Sequence, residues 1–338
     1  MNTLLMAYDS CRLCPHDCKV NRNKGELGIC GESAELRLAF AGLHFGEEPL
    51  ITGSGGSGTI FVSGCNLGCA FCQNFQISQE KMGSVVSTED FATICLKLEK
   101  EGAENINIVT GSHAIPALAL GLKEAKKKGL SIPVCWNSSA YENVEALELL
   151  KNLVDIWLPD LKTLDDAFSS QAFRAKNYPE YAKKAIYWMM EKSKIKIQNS
   201  TIQKKDSILE FESLTLPKML QGLIVRHLIL PNRLEDSFSV IQWFKENIDT
   251  KGYLSLMSQY TPIRGREKKI DAIKLMENRF LEEYELETAF DILDYFEIEN
   301  GFYQELNPSD DWLPDFNQTQ TFPNELAKPL WHWKYGFL

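Results

Sequence analysis

The sequence predicts an α/β protein whose central part is an incomplete (β/α)6 barrel of the TIM type. Short apolar segments, each as long as a buried strand, alternate with longer amphipathic segments typical of helices. This alternation implies right-handed crossovers between neighbouring parallel strands. Six strands and five helices can be traced, too few for the eight units of a closed barrel, so we expect the barrel to stay open.

The first unit starts at a predicted strand over 59–64, and a predicted helix over 88–102 follows it. Thr88 is the expected N-cap of this helix, and Phe91 and Leu98 lie on its apolar face. The other expected strands span 105–111, 133–139, 156–162, 222–230 and 253–261. The other expected helices span 115–129, 143–152, 178–192 and 237–248.

The segments on both sides of the barrel, which we place at 51–265, lack its rhythm. Residues 1–50 are loop-rich and contain four cysteines, which indicates a small metal-binding segment. Residues 266–338 form a C-terminal extension with one amphipathic helix predicted over 279–297. The tail 330–338 has aromatic residues at alternate positions, which favours docking on the barrel as an extra strand over covering a partner.

Two segments interrupt the alternation. The glycine- and serine-rich residues 51–59 are predicted to be irregular, because ordering glycine costs much conformational entropy. They precede a strand and lack the GK[ST] ending of a phosphate loop, so nucleotide binding is not expected there. The lysine-rich residues 192–221 are interpreted as a hairpin insertion.

Composition excludes some classes of protein. The chain has 338 residues with 36 Lys and Arg against 46 Asp and Glu, a formal charge of −10 that argues against a nucleic-acid binder. The first residues lack the pattern of a signal peptide, and no apolar run approaches the ~20 residues of a membrane span. We therefore expect a cytoplasmic protein, away from membranes, whose thiols stay reduced.

The most informative segment is SGCNLGCAFCQN (63–74), which places Cys65, Cys69 and Cys72 as C-x3-C-x2-C. We call residues 65–72 the cysteine loop. Three thiolates on a short loop after a strand can hold three irons of a [4Fe–4S] cluster. The segment has no fourth cysteine, so one coordination position is open to a cofactor or substrate. A closed zinc or cluster site completed by a distant residue is the alternative.

The cysteine loop, with Phe71 before its last cysteine, resembles that of the radical S-adenosylmethionine (SAM) superfamily, which carries it after the first strand of a partial barrel. The chain is more closely similar to the activating enzymes of glycyl-radical enzymes, such as the pyruvate formate-lyase activase. Within these it resembles a group with extra N-terminal cysteines. The pieces that match are C-x2-C-P-x2-C, GELGICG, HFGEEP, GSGGSGTIFVSGCNLGCAFCQN and VRHLILP.

The resemblance implies that SAM chelates the fourth iron and that an electron, from a flavodoxin- or ferredoxin-type donor, cleaves SAM to methionine and a 5′-deoxyadenosyl radical. This radical abstracts hydrogen from a substrate, which the likeness to activases suggests is a partner protein. Two alternatives stay open. One is a radical SAM enzyme that acts on a small molecule, and the other is a non-catalytic iron–sulfur electron carrier.

The resemblance also implies a SAM pocket at the carboxyl ends of the strands, where parallel α/β folds bind ligands. Thr110 and Gly111 stand where the superfamily has a glycine pair and an acid. Asp160 and Lys162 match the D-x-K pattern of activases, although a buried ion pair would explain them too. Arg226 matches an arginine that faces the SAM carboxylate. The expected cofactor-binding residues are Phe71, Thr110, Gly111, Asn137, Ser138, Asp160, Lys162 and Arg226.

The remaining candidates are less specific. At the end of the sixth strand, Gln259 and Tyr260 are candidate substrate contacts. His44, Glu47 and Glu48 lie either at the barrel mouth or on an exposed loop. Cys95 and Cys135 fall on apolar faces and are predicted to be inert core thiols.

A second set of thiols, which we call the N-terminal cysteine group, has the spacing C-x2-C-x3-C-x11-C. It consists of Cys11, Cys14, Cys18 and Cys30. Four thiols with turn glycines between them predict a closed tetrahedral site that staples a segment too small to fold alone. The spacing does not distinguish zinc from a rubredoxin-like iron or from a second [4Fe–4S] cluster that relays electrons. His16 lies within this group and is expected to be exposed to solvent.

Overall fold

The computed structural model describes residues 3–203, 213–263, 265–271, 273, 275–310, 313–323 and 325–338. The strands of this part of the chain are β1 Arg37–His44, β2 Ser57–Val62, β3 Ser84–Val85, β4 Ile106–Val109, β5 Val134–Ser138, β6 Ile156–Pro159, β7 Lys196–Gln203, β8 Ser213–Leu228, β9 Tyr253–Met257, β10 Gly301–Tyr303, β11 Ala327–His332 and β12 Gly336–Phe337. The α-helices are α1 Pro49–Thr52, α2 Phe75–Ser78, α3 Thr88–Lys100, α4 Ile115–Lys127, α5 Val144–Leu147, α6 Asp166–Ala172, α7 Tyr178–Lys192, α8 Leu234–Asn247, α9 Glu267–Asp271 and α10 Glu283–Tyr295. Short 3-10 helices span Thr3–Tyr8, Arg22–Lys24, Ser112–Ala114 and Asp249–Lys251.

All six predicted strands form, and they lie side by side in the order β2, β4, β5, β6, β8, β9. Each neighbouring pair is parallel. Strands β2, β4, β5 and β6 are buried along their whole length, as expected of strands that are covered on both faces. The sheet does not close on itself among the described residues, which confirms the predicted open α/β barrel.

The helices pack their apolar faces on this sheet, and α3 shows how the sequence achieves it. Phe91 and Leu98 are fully buried, and Gly121 of α4 lets the two helices approach, because a Cβ there would lie 2.4 Å from Phe91. The N-cap is Ser87, one residue before the predicted Thr88. Its hydroxyl accepts a hydrogen bond from the amide of Asp90 at 3.0 Å and completes a capping box.

The flanking segments add strands to the same sheet. Strand β1, in a segment that the sequence indicated as loop-rich, pairs antiparallel with β2. On its other edge β1 pairs antiparallel with β11, so the predicted docking of the C-terminal tail as an extra strand is confirmed. The sheet thus runs across residue 50 and into the extension, and the division at 1–50, 51–265 and 266–338 stays a prediction.

Several predicted boundaries shift. Within 51–59 the irregular part is shorter than expected, because α1 ends at Thr52 and β2 begins at Ser57. The helix predicted over 143–152 is limited to α5, after which the chain continues as turns. The predicted hairpin insertion forms, since β7 pairs antiparallel with the first half of β8; the residues between these strands lie outside the described ones. Helix α10 lies inside the predicted 279–297.

No helix within the described ranges combines the length and the apolar character needed to cross a membrane.

Candidate functional site

The cysteine loop follows β2 and closes one end of a cavity of about 270 Å³, the central cavity. Thr110, Ser138, Asp160 and Gln259, each at or just beyond the carboxyl end of a parallel strand, line it as well. The predicted site residues that line it are Cys65, Phe71, Cys69, Cys72, Thr110, Asn137, Ser138, Asp160, Lys162 and Arg226. The structure therefore brings together ten side chains that the sequence spreads over more than 160 positions.

Backbone contacts hold the cysteine loop from behind. Gly64 turns the chain into the loop with a φ of 84°, a value that favours glycine. The amide of Gly68 donates to the carbonyl of Phe173 at 3.1 Å, and the amide of Ala70 donates to the carbonyl of Ala172 at 2.9 Å. These bonds fix the loop on the segment after α6 and leave its three thiols directed at the cavity.

The thiols themselves have few partners. The amide of Leu67 lies 3.3 Å from Cys65 Sγ, and the hydroxyl of Ser78 lies 3.3 Å from Cys72 Sγ. Burial raises the pKa of Cys69 to about 12, although the nearby Lys162 ammonium opposes the rise. Three thiols that line one cavity are a donor set that fits a [4Fe–4S] cluster with one iron left open.

A charged network forms another part of the cavity wall. Arg226 Nε donates to Asp160 Oδ1 at 2.8 Å, and its Nη2 donates to Asn137 Oδ1 at 2.6 Å. Lys162 Nζ donates to the other carboxylate oxygen of Asp160 at 2.6 Å. Glu47 Oε2 lies 3.6 Å from Arg226 Nη1. The buried ion pair of Asp160 and Lys162, which the sequence left as an alternative to a functional role, does form, and it lines the cavity.

The network sets the charge of its members. Burial alone would raise the pKa of Asp160, but the cations of Arg226 and Lys162 outweigh burial and hold it below its usual value. Burial alone would lower the pKa of Lys162, and Asp160 outweighs it so that this pKa is raised. Both groups therefore stay charged at neutral pH.

Two acids that the sequence left open lie at this cavity. Glu47 Oε1 accepts from Asn107 Nδ2 at 3.1 Å, while Glu48 is only 8% exposed and its Oε2 has no hydrogen-bond partner among the described residues. Burial raises the pKa of both carboxyls against the pull of Arg226. The exposed-loop interpretation of Glu47 and Glu48 is therefore wrong, because α1 turns them inward.

Some predicted residues take other positions. Gly111 packs against Trp136, where a Cβ would lie 2.5 Å from the indole, and Thr110 occupies the cavity wall with a φ of 63°. Tyr260 is buried against Phe71, with ring centroids 6.2 Å apart, and donates to Asn278 Oδ1 at 2.9 Å. It supports the aromatic residue of the cysteine loop and does not reach the cavity.

The sequence interpretation missed cavity residues of the C-terminal extension, in particular Gln304 and Phe322. Neither lies in a recognisable strand–helix unit, so no local signal marked them. Asn107 carried a usable signal, because an amide within the apolar run of a buried strand needs a polar partner, which here is Glu47.

The N-terminal cysteine group lies behind the cysteine loop. A Cβ at Gly28 would lie 3.5 Å from Cys30 Sγ and 3.6 Å from Cys18 Sγ, so these two sulfurs flank the same glycine. Burial raises the pKa of Cys14 to about 12. Among the described residues, no three His, Cys, Asp or Glu side chains are arranged to hold a single metal ion. A zinc or second iron site at these four thiols stays a prediction.

The segment that carries this group contacts the cysteine loop through His16. His16 Nε2 lies 2.7 Å from the carbonyl oxygen of Asn66, and the Asn66 side chain donates to the carbonyl of Tyr141 at 2.6 Å. His16 is therefore half-buried and the expectation of an exposed histidine is wrong, because the ring fills the gap between the loop and Tyr141. The two other thiols, Cys95 and Cys135, are fully buried, as predicted.

Residues 59–214 match the sequence model of the radical SAM superfamily. Over 300 residues the chain is 28% identical to the uncharacterized protein MJ0674 of Methanocaldococcus jannaschii, with 86% of this chain and 76% of that protein covered.

Among solved structures, SuiB of Streptococcus suis bound to S-adenosylmethionine is similar, with 14% identity, a TM-score of 0.47, and coverage of 72% of this chain and 48% of SuiB. The chain thus spans about half the length of SuiB. A domain of a pyruvate-formate lyase-activating enzyme from Bacteroides vulgatus is also similar, with 12% identity and a TM-score of 0.36 over 56% of this chain and 89% of that domain.

The family match begins at Thr59 in β2 and includes the cysteine loop, Asn137, Asp160 and Lys162. These residues line one cavity, at the end of the open barrel where its parallel strands finish. The chain carries a domain of the radical SAM superfamily, and its cofactors are a [4Fe–4S] cluster and S-adenosylmethionine.

Proposed function

We propose that this chain is an enzyme that takes a hydrogen atom from a residue of a partner protein, as the activases of glycyl-radical enzymes do. The observation that carries the proposal is that three thiols and the network of Asp160, Lys162 and Arg226 line one small cavity. When bound, the cluster supplies the electron that cleaves SAM and so generates the 5′-deoxyadenosyl radical.

The residues of the chain have distinct parts in this proposal. Cys65, Cys69 and Cys72 hold the cluster. Arg226 and Lys162 are cations on the cavity wall that attract the carboxylate of SAM, and the forked guanidinium suits this group geometrically. The hydroxyl of Ser138 and the amide of Asn137 are suited to the ribose hydroxyls.

The size of the central cavity supports a protein substrate. Its volume of about 270 Å³ is just below the ~300–1,000 Å³ usual for ligand pockets, so SAM alone would occupy most of it. A second small molecule would have no enclosed site beside SAM. A protein can instead present a single residue at the mouth while the rest of it stays outside, which favours a partner protein over a small-molecule substrate.

The first test is SAM cleavage by enzyme reconstituted with iron and sulfide and reduced with dithionite. We expect release of 5′-deoxyadenosine and methionine, loss of this activity in Cys69→Ala, and its retention in Cys95→Ala, a matched control at a buried core thiol. An electron carrier without catalysis would instead show reversible reduction and release no 5′-deoxyadenosine.

The second step identifies the source of the hydrogen. Soluble extract from host cells grown in deuterated medium is separated into a macromolecular and a small-molecule fraction, and each is added to the enzyme. Deuterium in 5′-deoxyadenosine from the protease-sensitive macromolecular fraction supports the proposal. Deuterium that comes only from the small-molecule fraction contradicts it and favours a small-molecule substrate.

A further inference from the structure

A second cavity, about 880 Å³ and on the outer side of the barrel, has a charge opposite to that of the chain. We call it the basic groove. Arg174, Lys176, Lys183 and Lys184 line it, against only two acids, Asp166 and Glu180. The chain as a whole carries a formal charge of −10, so this local excess of cations is not a consequence of composition.

Most of these cations lack an internal partner. Lys184 pairs with Glu180 at 2.5 Å, but Arg174, Lys176 and Lys183 have no carboxylate within salt-bridge distance in the part of the chain that is described. Arg174 and Lys176 are exposed, and Lys183 is half-buried. Their charges are therefore available to a ligand from outside.

The basic groove borders the cysteine loop at two places. A Cβ at Gly68 would lie 3.0 Å from Arg174 Cδ, and Gly68 is also bonded to the carbonyl of Phe173. On the other flank, His16 lines the groove and its ring meets the carbonyl of Asn66. The groove therefore reaches the loop at Asn66 and Gly68, the sequence neighbours of Cys65 and Cys69.

The groove also has an aromatic floor. Tyr187 and Trp243 line it and contact each other edge to face, with ring centroids 5.6 Å apart. Aromatic residues and arginine are enriched in protein-binding surfaces, and the surrounding lysines add positive charge that can steer an acidic partner.

We propose that the basic groove is the docking surface for a small acidic electron-transfer protein that reduces the cluster. The inference rests on the proposed function, because each reductive cleavage of SAM consumes one electron. The donor is oxidised by one electron, and the S–C5′ bond of SAM takes up that electron as it breaks. An acidic donor is attracted to the groove and repelled by the rest of an acidic chain, so charge directs it to the side of the loop nearest the thiols.

The test compares two reductants on the same variants. The double variant Lys176→Glu with Lys183→Glu reverses the groove charge without touching the cysteine loop. With dithionite it should release 5′-deoxyadenosine at the wild-type rate. With an acidic flavodoxin, kept reduced by its reductase, we expect the rate at low flavodoxin concentration to fall about tenfold or more, and to lose its dependence on salt.

The matched control reverses Lys100 and Lys123, two exposed lysines on α3 and α4, and should change neither rate. The proposal is overturned if the double variant and Arg174→Glu both keep the full flavodoxin-supported rate. It is also overturned if the double variant keeps the wild-type rate with flavodoxin but binds random single-stranded oligonucleotides more weakly than wild type does. If wild-type protein releases no 5′-deoxyadenosine even with dithionite, the proposed function fails instead, and direct titration of flavodoxin against the same variants still decides the surface.

Discussion

The cysteine loop and the N-terminal cysteine group adjoin each other, yet the surroundings of their thiols differ. The thiols of the cysteine loop line a cavity whose cations, Arg226 and Lys162, are matched by Asp160. Behind the loop, the buried cation is Arg22, and it donates to backbone carbonyls of Ser33 and His113. A cation paired with an acid can be shared with a charged ligand, whereas one bound to carbonyls fixes the backbone. The first group is thus arranged to bind, and the second to hold the loop in place.

The largest expected effect distinguishes the cysteine loop from the N-terminal cysteine group by replacing one cysteine of each. Residues that only support a metal ligand typically change activity by about 10–100-fold when they are mutated. We expect Cys72→Ala, which removes a cluster ligand itself, to lower the rate of SAM cleavage by far more. Cys14→Ala should stay within that range and keep the iron of the cleavage cluster. Iron and zinc analysis of both variants beside Cys95→Ala measures this, and loss of zinc alone in Cys14→Ala identifies the second metal. Equal loss of cluster iron in both would remove the distinction.

The second prediction concerns the charges found only on the cavity side. Asp160→Asn leaves Arg226 and Lys162 without their shared carboxylate, and removing one partner of a buried pair costs about 3–5 kcal/mol. We expect a matching fall in the free energy of unfolding in urea and at least tenfold weaker SAM binding in equilibrium dialysis. Glu180→Gln, which breaks the exposed pair with Lys184, should leave the free energy of unfolding unchanged within error, because solvent screens such a pair. Similar costs for the two variants would contradict the account of the network.

The smallest expected effect concerns Glu142, whose neighbours Tyr141 and Asn143 bond to the cysteine loop and to the N-terminal segment. Glu142 is buried; its Oε1 accepts from Ser112 at 2.8 Å and from Trp136 at 3.3 Å, while its Oε2 has no partner among the described residues. Burial raises the pKa of this carboxyl. A raised pKa in the folded state means that the stability linked to this group is greatest below the unfolded value of about 4.3 and is lost as the pH rises through the folded pKa.

Glu142→Gln mimics the protonated form, so we expect it to be more stable than wild type at pH 8 and equally stable near pH 4. The difference should fall within the about 0.5–3 kcal/mol of ordinary substitutions. Urea titrations at several pH values measure it, and parallel curves for the two proteins would falsify the assignment.

The fold could be predicted where one strand–helix unit is complete in one stretch of sequence. The six parallel strands are continuous apolar runs, and each of them forms. Strand β1 was not predicted, because its neighbours in the sequence are cysteine-rich loops. Its pairing with β11 joins residues that are far apart in the sequence. Such a pairing leaves no local pattern, since the partner that buries Gly42 against the carbonyl of Lys328 is at the other end of the sequence.

The site shows the same limit. The spacing of Cys65, Cys69 and Cys72 is a local pattern, so the cluster ligands could be predicted from it. Asp160, Lys162 and Arg226 were predicted only from the resemblance to a family. The inward position of Glu47 depends on how α1 packs against β8, which residue type alone does not reveal. The roles of these residues in binding SAM stay predictions, although the structure brings them to one cavity.

The pairing of β1 with β11 has a consequence for the order of events during synthesis. Strand β1 is made before the six parallel strands, whereas β11, which covers its edge, is made after them. Contacts of such large sequence separation form slowly. Until then Phe61 has its contact with Phe40 of β1 but lacks its later neighbours Phe316 and Phe322 at the wall of the central cavity. Before the C-terminal segment folds, one wall of the central cavity, the one that Phe61 and Phe322 form, is therefore incomplete.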